Sequence, residues 1–337
     1  MQETKKLKMS PKQICTHSGS FHADESLAVY MLRLLPEYKD AKVVRSRNPE
    51  DWEASDIVVD VSAQYDGVKL FDHHQRGFME TFSPEYKTKL SSAGLVYKHF
   101  GKRIIETVIA NSDISPVSAE DLEILYQRVY NRFIEALDAN DNGISKYDLP
   151  EDENPNFNDS AISIPGLISR MNPSWNAKDT SAAAFDAAFQ KASQFIGTAF
   201  VDQVIGYAGS WLPAKTIVIN AVKDRMNVDP SGKILVLSQF CPWKEHLYDV
   251  ETEQGIEGVI EFVIFTDSTN SWRVSTVPIS ATSFKFRKGL PEELRGLRDE
   301  ELSNKSGVPD CVFIHAAGFI GGAKSKESAL KLAKMSL

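Results

Sequence analysis

The sequence predicts an α/β protein in two parts: an N-terminal, mainly parallel sheet flanked by helices, and a smaller α+β C-terminal domain, with a cleft between them. Three observations predict it. The first 72 residues run in the order strand, helix, strand, helix, strand, the signature of parallel strands joined by crossover helices. From about residue 212 the texture changes to short β-branched runs. At 337 residues the chain also exceeds what one hydrophobic core usually serves.

QICTH (13–17) reads as a short buried strand. ADESLAVYMLRLLPEYK (23–39) reads as a helix, because Leu27, Tyr30, Met31, Leu34 and Leu35 recur at helical spacing and Pro36 sits near its end. AKVVRS (41–46) is the second strand. NPEDWEAS then places Pro after Asn and acids in the first turn, a helix start. IVVD (57–60) and VKLFD (68–72) are further strands, joined by a connection too short for a crossover helix, so they form either a hairpin or neighbours linked by an irregular turn. SSAGLVYKHF (91–100) predicts a helix capped by Ser91 or Ser92, and AEDLEILYQRVYNRFIEALDA (119–139) a long amphipathic one. LPEDENPNFNDSAISIPG (149–166) has the Pro, Asn and acid content of a loop or insertion. Residues 179–211 read as an alanine-rich connecting helix; after it TIVIN, ILVLS, VIEFVIF, WRVSTVPI, SFKFRKG and CVFIHAAGF read as strands.

Composition narrows the class. With 42% hydrophobic and 25% charged residues the chain is an ordinary globular protein, and no apolar run approaches the ~18 residues a membrane span requires. Cys15, Cys241 and Cys311 are far apart and form no C-x-x-C pair, which argues against a disulfide framework or a zinc ribbon and fits a reducing compartment. The lysine-rich start lacks an apolar core, so the expected location is the cytoplasm, with the nucleus and a mitochondrial pool as alternatives. The net charge of −8 is unevenly spread. Residues 111–160 hold twelve acids against three bases, whereas residues 271–337 hold eleven bases against seven acids, the part to which a phosphate-bearing partner would be drawn.

THSGSFHADES (16–26) and LFDHHQRGF (70–78) hold four of the seven histidines, interleaved with acids. His17, Asp60 and Asp72 each end a strand, and in open α/β sheets ligands bind beyond the carboxyl ends of the strands. Imidazole with carboxylate suits a borderline divalent ion such as Mn²⁺, Zn²⁺, Fe²⁺ or Co²⁺. His17, His22, Asp24, Asp60, Asp72, His73 and His74 are too many ligands for one tetrahedral ion with an open position; two ions sharing a carboxylate account for the number. The pattern is not H-E-x-x-H, which disfavours a zincin-type protease.

DHHQ after an apolar strand, with an aspartate ending the preceding strand, resembles the DHH phosphoesterase superfamily. THSGSFHADESLA, FDHHQRGF, SSAGLVYKHFG, ALDANDNGI and FIHAAGFIGGAKSKESAL are more closely similar to the melanocyte proliferating gene (Myg) family of exonucleases, from about residue 12 to the C-terminus. The resemblance implies His17, His22 and Asp60 on one metal and Asp24, Asp60 and His73 on the other, with Asp60 bridging. It implies His74 facing the substrate phosphate and Asp72 orienting the neighbouring imidazoles. One departure stands: His22-Ala23-Asp24 occurs where the superfamily carries D-x-D, exchanging a carboxylate for an imidazole, which bears on metal preference. The superfamily's fourth motif supplies a further aspartate; ALDANDNG offers Asp138, favoured because it lies within the amphipathic pattern, and Asp141.

The implied division is a flexible N-terminus over 1–11, a DHH-type metal-binding domain over 12–178, a connecting helix over 179–211 and a substrate-binding domain over 212–337. FIHAAGFIGG resembles the glycine-rich segment of the DHH-associated domain, with His315 and Gly318 near substrate. Arg273, Arg287 and Lys288 are expected to grip a phosphodiester backbone. Trp272, Phe284 and Phe286 are read as core more readily than as base-stacking groups. The expected activity is a metal-dependent 3′ to 5′ exonuclease on single-stranded RNA, using hydroxide activated by two divalent ions, Mn²⁺ in preference to Mg²⁺, Zn²⁺ or Co²⁺. The alternatives are a phosphatase or pyrophosphatase acting on small phosphoesters or short oligonucleotides, and a catalytically inactive metal-stabilised scaffold that binds RNA.

Overall fold

The structure, a computed structural model, describes residues 11–147 and 157–337, so the expected flexible N-terminus falls almost wholly outside the described residues, as does part of the 149–166 loop. The chain divides into two units, Met1–Ala208 and Gly209–Leu337.

In the first unit β1 (Gln13–Thr16) leads to α1 (Ala23–Leu34), β2 (Lys42–Arg45), α2 (Pro49–Ala54), β3 (Ile57–Val59) and β4 (Leu70–Phe71). The sheet order is β2-β1-β3-β4 and every neighbouring pair is parallel. Ile14, Cys15, Ile57, Val58 and Val59 are wholly buried, as strands covered on both faces require. The helix α1 ends at Leu34 because Pro36 drives the residue before it, Leu35, into extended backbone (ψ 138°). The connection between β3 and β4 resolves in favour of an irregular turn between parallel neighbours: Val58 lies opposite Leu70, and Asp60 and Ala63 take left-handed backbone on the way.

Then follow α3 (Ser92–Ala110), capped by Ser91, α4 (Ala119–Val129), a π-helical turn over Tyr130–Ile134, and α5 (Glu135–Asp141). The single helix expected over 119–139 is therefore interrupted by one wide turn. A 3₁₀ turn at Ser160–Ile162, α6 (Ile164–Ser169) and α7 (Ala182–Gly206) complete the unit. Ser193 on α7 donates to the Ser26 carbonyl on α1 at 2.8 Å, and the Tyr30 ring lies so near Gly197 that a Cβ there would meet it at 2.2 Å.

The second unit contains a mixed sheet. A π turn at Tyr207–Trp211 precedes α8 (Leu212–Val228), followed by β5 (Ile234–Val236), α9 (Trp243–Gln254), β6 (Phe262–Thr266), β7 (Trp272–Thr276), α10 (Asp299–Ser306), β8 (Cys311–Ile314), β9 (Ile320–Ala323) and α11 (Lys326–Lys334). The order is β5-β6-β7-β9-β8, with only β5 and β6 parallel. Val263 and Phe265 pack in the core that includes α8 and α9, whereas Phe262 and Ile264 pack with α10 and α11, so both faces are buried and VIEFVIF reads as an unbroken apolar run.

Three expectations change here. TIVIN is not a strand but part of α8, because Ala214, Val218, Ala221 and Val222 form a buried stripe at helical spacing. SFKFRKG contributes no ladder, only an isolated bridge between Pro278 and Phe286. CVFIHAAGF is not one strand: β8 ends at Ile314 and the chain reverses into β9, with Gly318 at φ 75° in the turn.

Candidate metal centre

All four strands of the first sheet are parallel, so the residues following them share one rim: His17 after β1, Ser46 and Arg47 after β2, Asp60 after β3, and Asp72, His73 and His74 after β4. The chain leaves β1 toward β2 on one side and returns to β3 on the other. This makes the gap between β1 and β3 the switch point where ligand crevices form. His17 and Asp60 flank it. A cavity of about 690 Å³ opens there, lined by His17, His22, Asp24, Arg47, Asp60, Asp72, His74 and Asp141, with Ser160, Ser163 and Gly166 also on its wall.

Asp60 stands at the centre. Its Oδ2 is 3.6 Å from His17 Nε2; its Oδ1 is 3.3 Å from His74 Nδ1 and 3.7 Å from His73 Nε2. Its φ of 55° turns it off the strand, a conformation Asp adopts more readily than bulkier residues. Asp72 is buried and spoken for: Oδ2 accepts from Ala63 N at 2.6 Å, and Oδ1 accepts from His74 N and faces His74 Nδ1, both at 2.9 Å. The Asp60 and Asp72 contacts, opposed by burial, raise the His74 pKa to about 9, while its ring remains largely exposed. For His17 burial opposes protonation, yet the neighbouring Glu25 and Asp60 carboxylates leave its pKa raised.

The loop SGSFHADE brings its own carboxylate. Glu25 is fully buried; it accepts from His22 N at 2.9 and 3.1 Å, closing the first turn of α1, and its Oε1 lies 3.0 Å from His17 Nε2. Asp24 points the other way, accepting from Ser91 Oγ (2.6 Å), Ser92 N (3.1 Å) and Ala93 N (2.5 Å) at the positive end of α3. Burial, reinforced by Asp141 and Asp60, holds Asp24 well above the usual carboxylate range.

ALDANDNG offered two aspartates, and the structure separates them. Asp141 Oδ2 lies 3.0 Å from His73 Nε2. Asp138, favoured by the helical pattern, is instead turned beneath α3: Oδ1 accepts from Ser91 N (2.9 Å) and Ser91 Oγ (2.7 Å), and Oδ2 accepts from Tyr130 OH (3.0 Å). The amphipathic pattern that recommended it marks burial, and burial lifts its pKa to about 7. The helix closes with Gly143 in left-handed backbone (φ 66°).

The donor atoms form three sets, each within 4.8 Å: His17, His22 and Glu25; Asp60, Asp72, His73 and His74; and Asp24, His73 and Asp141, the last two sharing His73. These sets fit divalent ions on two observations. His73 Nε2 is buried and has no hydrogen-bond partner although it faces two carboxylates. Carboxylate oxygens of Asp24, Glu25, Asp60, Asp72 and Asp141 also converge with imidazole nitrogens, each set lying within 4.8 Å. Imidazole and carboxylate donors together suit borderline divalent ions.

Glu25 and Arg47 are the residues the sequence reading passed over. The signals were present: Glu25 sits inside THSGSFHADES, and Arg47 follows β2 as His17 follows β1. Arg47 is exposed, and its Nη2 lies 3.3 Å from His17 Nδ1.

In the second unit the expected phosphate-gripping residues are distributed differently. Arg287 is committed to a two-pronged pair with Glu251 (2.6 and 2.7 Å) and to the Ile260 carbonyl (2.8 Å), over the Tyr248 ring. Arg273 pairs with Asp267 and lies 5.4 Å from the Phe313 ring centre. Lys288 is exposed. His315 is exposed at the β8–β9 turn, its Nδ1 accepting from Ala317 N at 3.1 Å. Gly318 is required there by its φ of 75° and by Arg295, whose Nε would stand 2.3 Å from a Cβ. Phe284 is fully exposed, while Trp272 and Phe286 are half-buried.

The MYG1 exonuclease family model, described as "Uncharacterised protein family (UPF0160)", matches residues 13–337. The MYG1 protein of Saccharomyces cerevisiae is 69% identical over 342 aligned positions, covering 100% of both chains. The MYG1 protein of Schizosaccharomyces pombe is 50% identical, covering 96% of this chain and 97% of its own. The Homo sapiens MYG1 exonuclease is 44% identical over 338 positions, covering 98% of this chain and 86% of its own.

Proposed function

Because the chain belongs to the MYG1 exonuclease family, we propose that it is a metal-dependent phosphodiester hydrolase, a 3′ to 5′ exonuclease on single-stranded RNA with a DHH-type layout. The observation that carries this reading is the convergence of His17, Asp60 and the Asp72-His73-His74 run on one strand rim, with a buried imidazole nitrogen left without a hydrogen-bond partner. The relatives named exonucleases support the nuclease class.

On this reading His17, His22 and Glu25 hold one ion, and Asp24, His73 and Asp141 the other, with Asp60 between them. Bound divalent ions would supply activation of water and neutralisation of charge on the phosphodiester. Asp72 fixes the His74 ring through Nδ1, so that the largely exposed imidazole turns its other nitrogen toward a phosphate oxygen. Arg47 adds a fixed positive charge at the same mouth, where an anionic substrate enters.

Purified protein with Mn²⁺, Mg²⁺, Zn²⁺ or Co²⁺ should shorten 5′-labelled single-stranded RNA stepwise and release mononucleotides. Internal cleavage, or no product with any of these ions, sinks the reading. The commitment of Arg287 and Arg273 to carboxylates of their own unit favours a second reading, hydrolysis of short phosphoesters. Consumption of dinucleotides or pyrophosphate with longer RNA left intact would select it.

A further inference from the structure

A second depression in the first unit, about 1420 Å³, lies along α1 between β2 and α7. Its charge is unlike that of the chain, whose net charge is −8. Arg33 at the end of α1, Lys39 in the turn beyond it, Lys42 at the start of β2 and Lys191 on α7 all line it. All four are exposed, and none has an acidic partner among the described residues. Of the two carboxylates on its wall, Asp186 is already paired with Arg45 at 3.1 Å, leaving Asp202. Phe195, 39% exposed, and Tyr30, packed flat on Gly197, supply aromatic surface between the cations. Uncompensated cations beside one exposed and one half-buried aromatic ring suit single-stranded nucleic acid, because phosphates meet the charges while bases stack.

The strand β2 runs from the groove toward the metal cavity: Lys42 and Arg45 line the first, and Arg47, just past the strand, lines the second. Lys42 opens the strand in the groove. Three positions on, Arg45 donates to the Gly19 carbonyl at 2.7 Å and so braces the THSGSFHADES loop. Two further, Arg47 lines the cavity. The helix α1 spans Ala23–Leu34, about 18 Å, with its first turn on the metal cavity and Arg33, near its other end, on the groove.

Building on the exonuclease reading, we propose that this groove is the track along which the single-stranded RNA substrate lies, its phosphodiester backbone on Arg33, Lys39, Lys42 and Lys191 and its 3′ end delivered past Arg47 to the metals. The track explains how a polymer is held although two arginines of the second unit are engaged elsewhere.

The test is binding by the full chain of a fluorescein-labelled, phosphorothioate-linked oligouridylate of about 12 nucleotides, read by anisotropy across a salt series. The variants are Arg33→Glu/Lys39→Glu/Lys42→Glu and, to guard against misfolding, the neutral Arg33→Gln/Lys39→Gln/Lys42→Gln. Both should bind at least roughly tenfold more weakly, and the neutral variant's log–log salt slope should shrink by about 2, near 0.7 per lost phosphate contact. Unchanged affinity in folded variants, or no binding by the wild type, overturns the track. Equal binding of polyglutamate, lost in the same variants, would reassign the groove to an acidic protein and also overturn it. Wild-type hydrolysis of the unmodified RNA is scored separately, so failure of the exonuclease reading leaves a distinct signature.

Discussion

Asp24 and Asp138 are held by one hydroxyl: Ser91 Oγ lies 2.6 Å from Oδ1 of the first and 2.7 Å from Oδ1 of the second. A hydroxyl has a single hydrogen, so it donates to one carboxylate at a time, and the other is left with its remaining donors, Ser92 N and Ala93 N for Asp24 or Ser91 N and Tyr130 OH for Asp138. Burial accordingly raises both pKa values, that of Asp138 to about 7.

Stability of the chelator-treated protein should therefore fall as pH rises from about 4 to about 7. Between the ordinary value of 3.8 and about 7, the folded protein keeps a proton on Asp138 that the unfolded chain has released. Each pH unit in that window removes at most about 1.4 kcal/mol. Asp138→Asn should flatten the profile in thermal melts; an equally steep profile would assign the effect elsewhere.

Asp60→Asn should retain the fold and lose hydrolysis by a factor of at least about 100, because Asp60 faces His17 on one side and His73 and His74 on the other. Isothermal titration with Mn²⁺ should show fewer than two sites per chain. Full activity with full metal content would remove Asp60 from the centre.

Glu25→Gln keeps an acceptor for His22 N but removes the charge beside His17. The melting temperature should move little, while Mn²⁺ affinity drops roughly 10- to 100-fold. Unchanged affinity would leave Glu25 as a helix cap alone.

Arg287→Lys breaks a two-pronged pair with a buried Glu251, at about 1 to 3 kcal/mol of stability. Denaturant unfolding should register the loss, while RNA hydrolysis per folded molecule stays at the wild-type level. Loss of turnover without loss of stability would return Arg287 to the substrate.

Gly94→Ala should destabilise by about 1 to 3 kcal/mol, because the added methyl meets Asp138 Oδ1 at 2.3 Å and Oδ2 at 2.5 Å. Calorimetry that finds the variant as stable as the wild type would show that Asp138 is free to move.

The parallel sheet was legible because its central strands β1 and β3 are short apolar runs buried on both faces, and the rim was legible because His17, Asp60 and Asp72 each follow a strand. Asp138 and Asp141 were not separable in the same way, since both satisfy helical spacing and only the position of Ser91 decides which of them is turned inward. TIVIN failed for a related reason: β-branched residues favour strands locally, but Val218 and Val222 are buried by packing one helical turn apart. The commitment of Arg287 depended on Glu251, 36 positions away, which no local pattern encodes.

The backbone at Asp60, at φ 55°, narrows the ways this position can change. Aspartate, asparagine and glycine enter left-handed geometry readily, whereas a β-branched side chain would meet steric strain there. Substitution during descent can therefore silence this position, by amide or by hydrogen, far more easily than it can exchange one ligand for another. On the proposed reading, donor capacity at this position is lost in a single step but is not readily retuned.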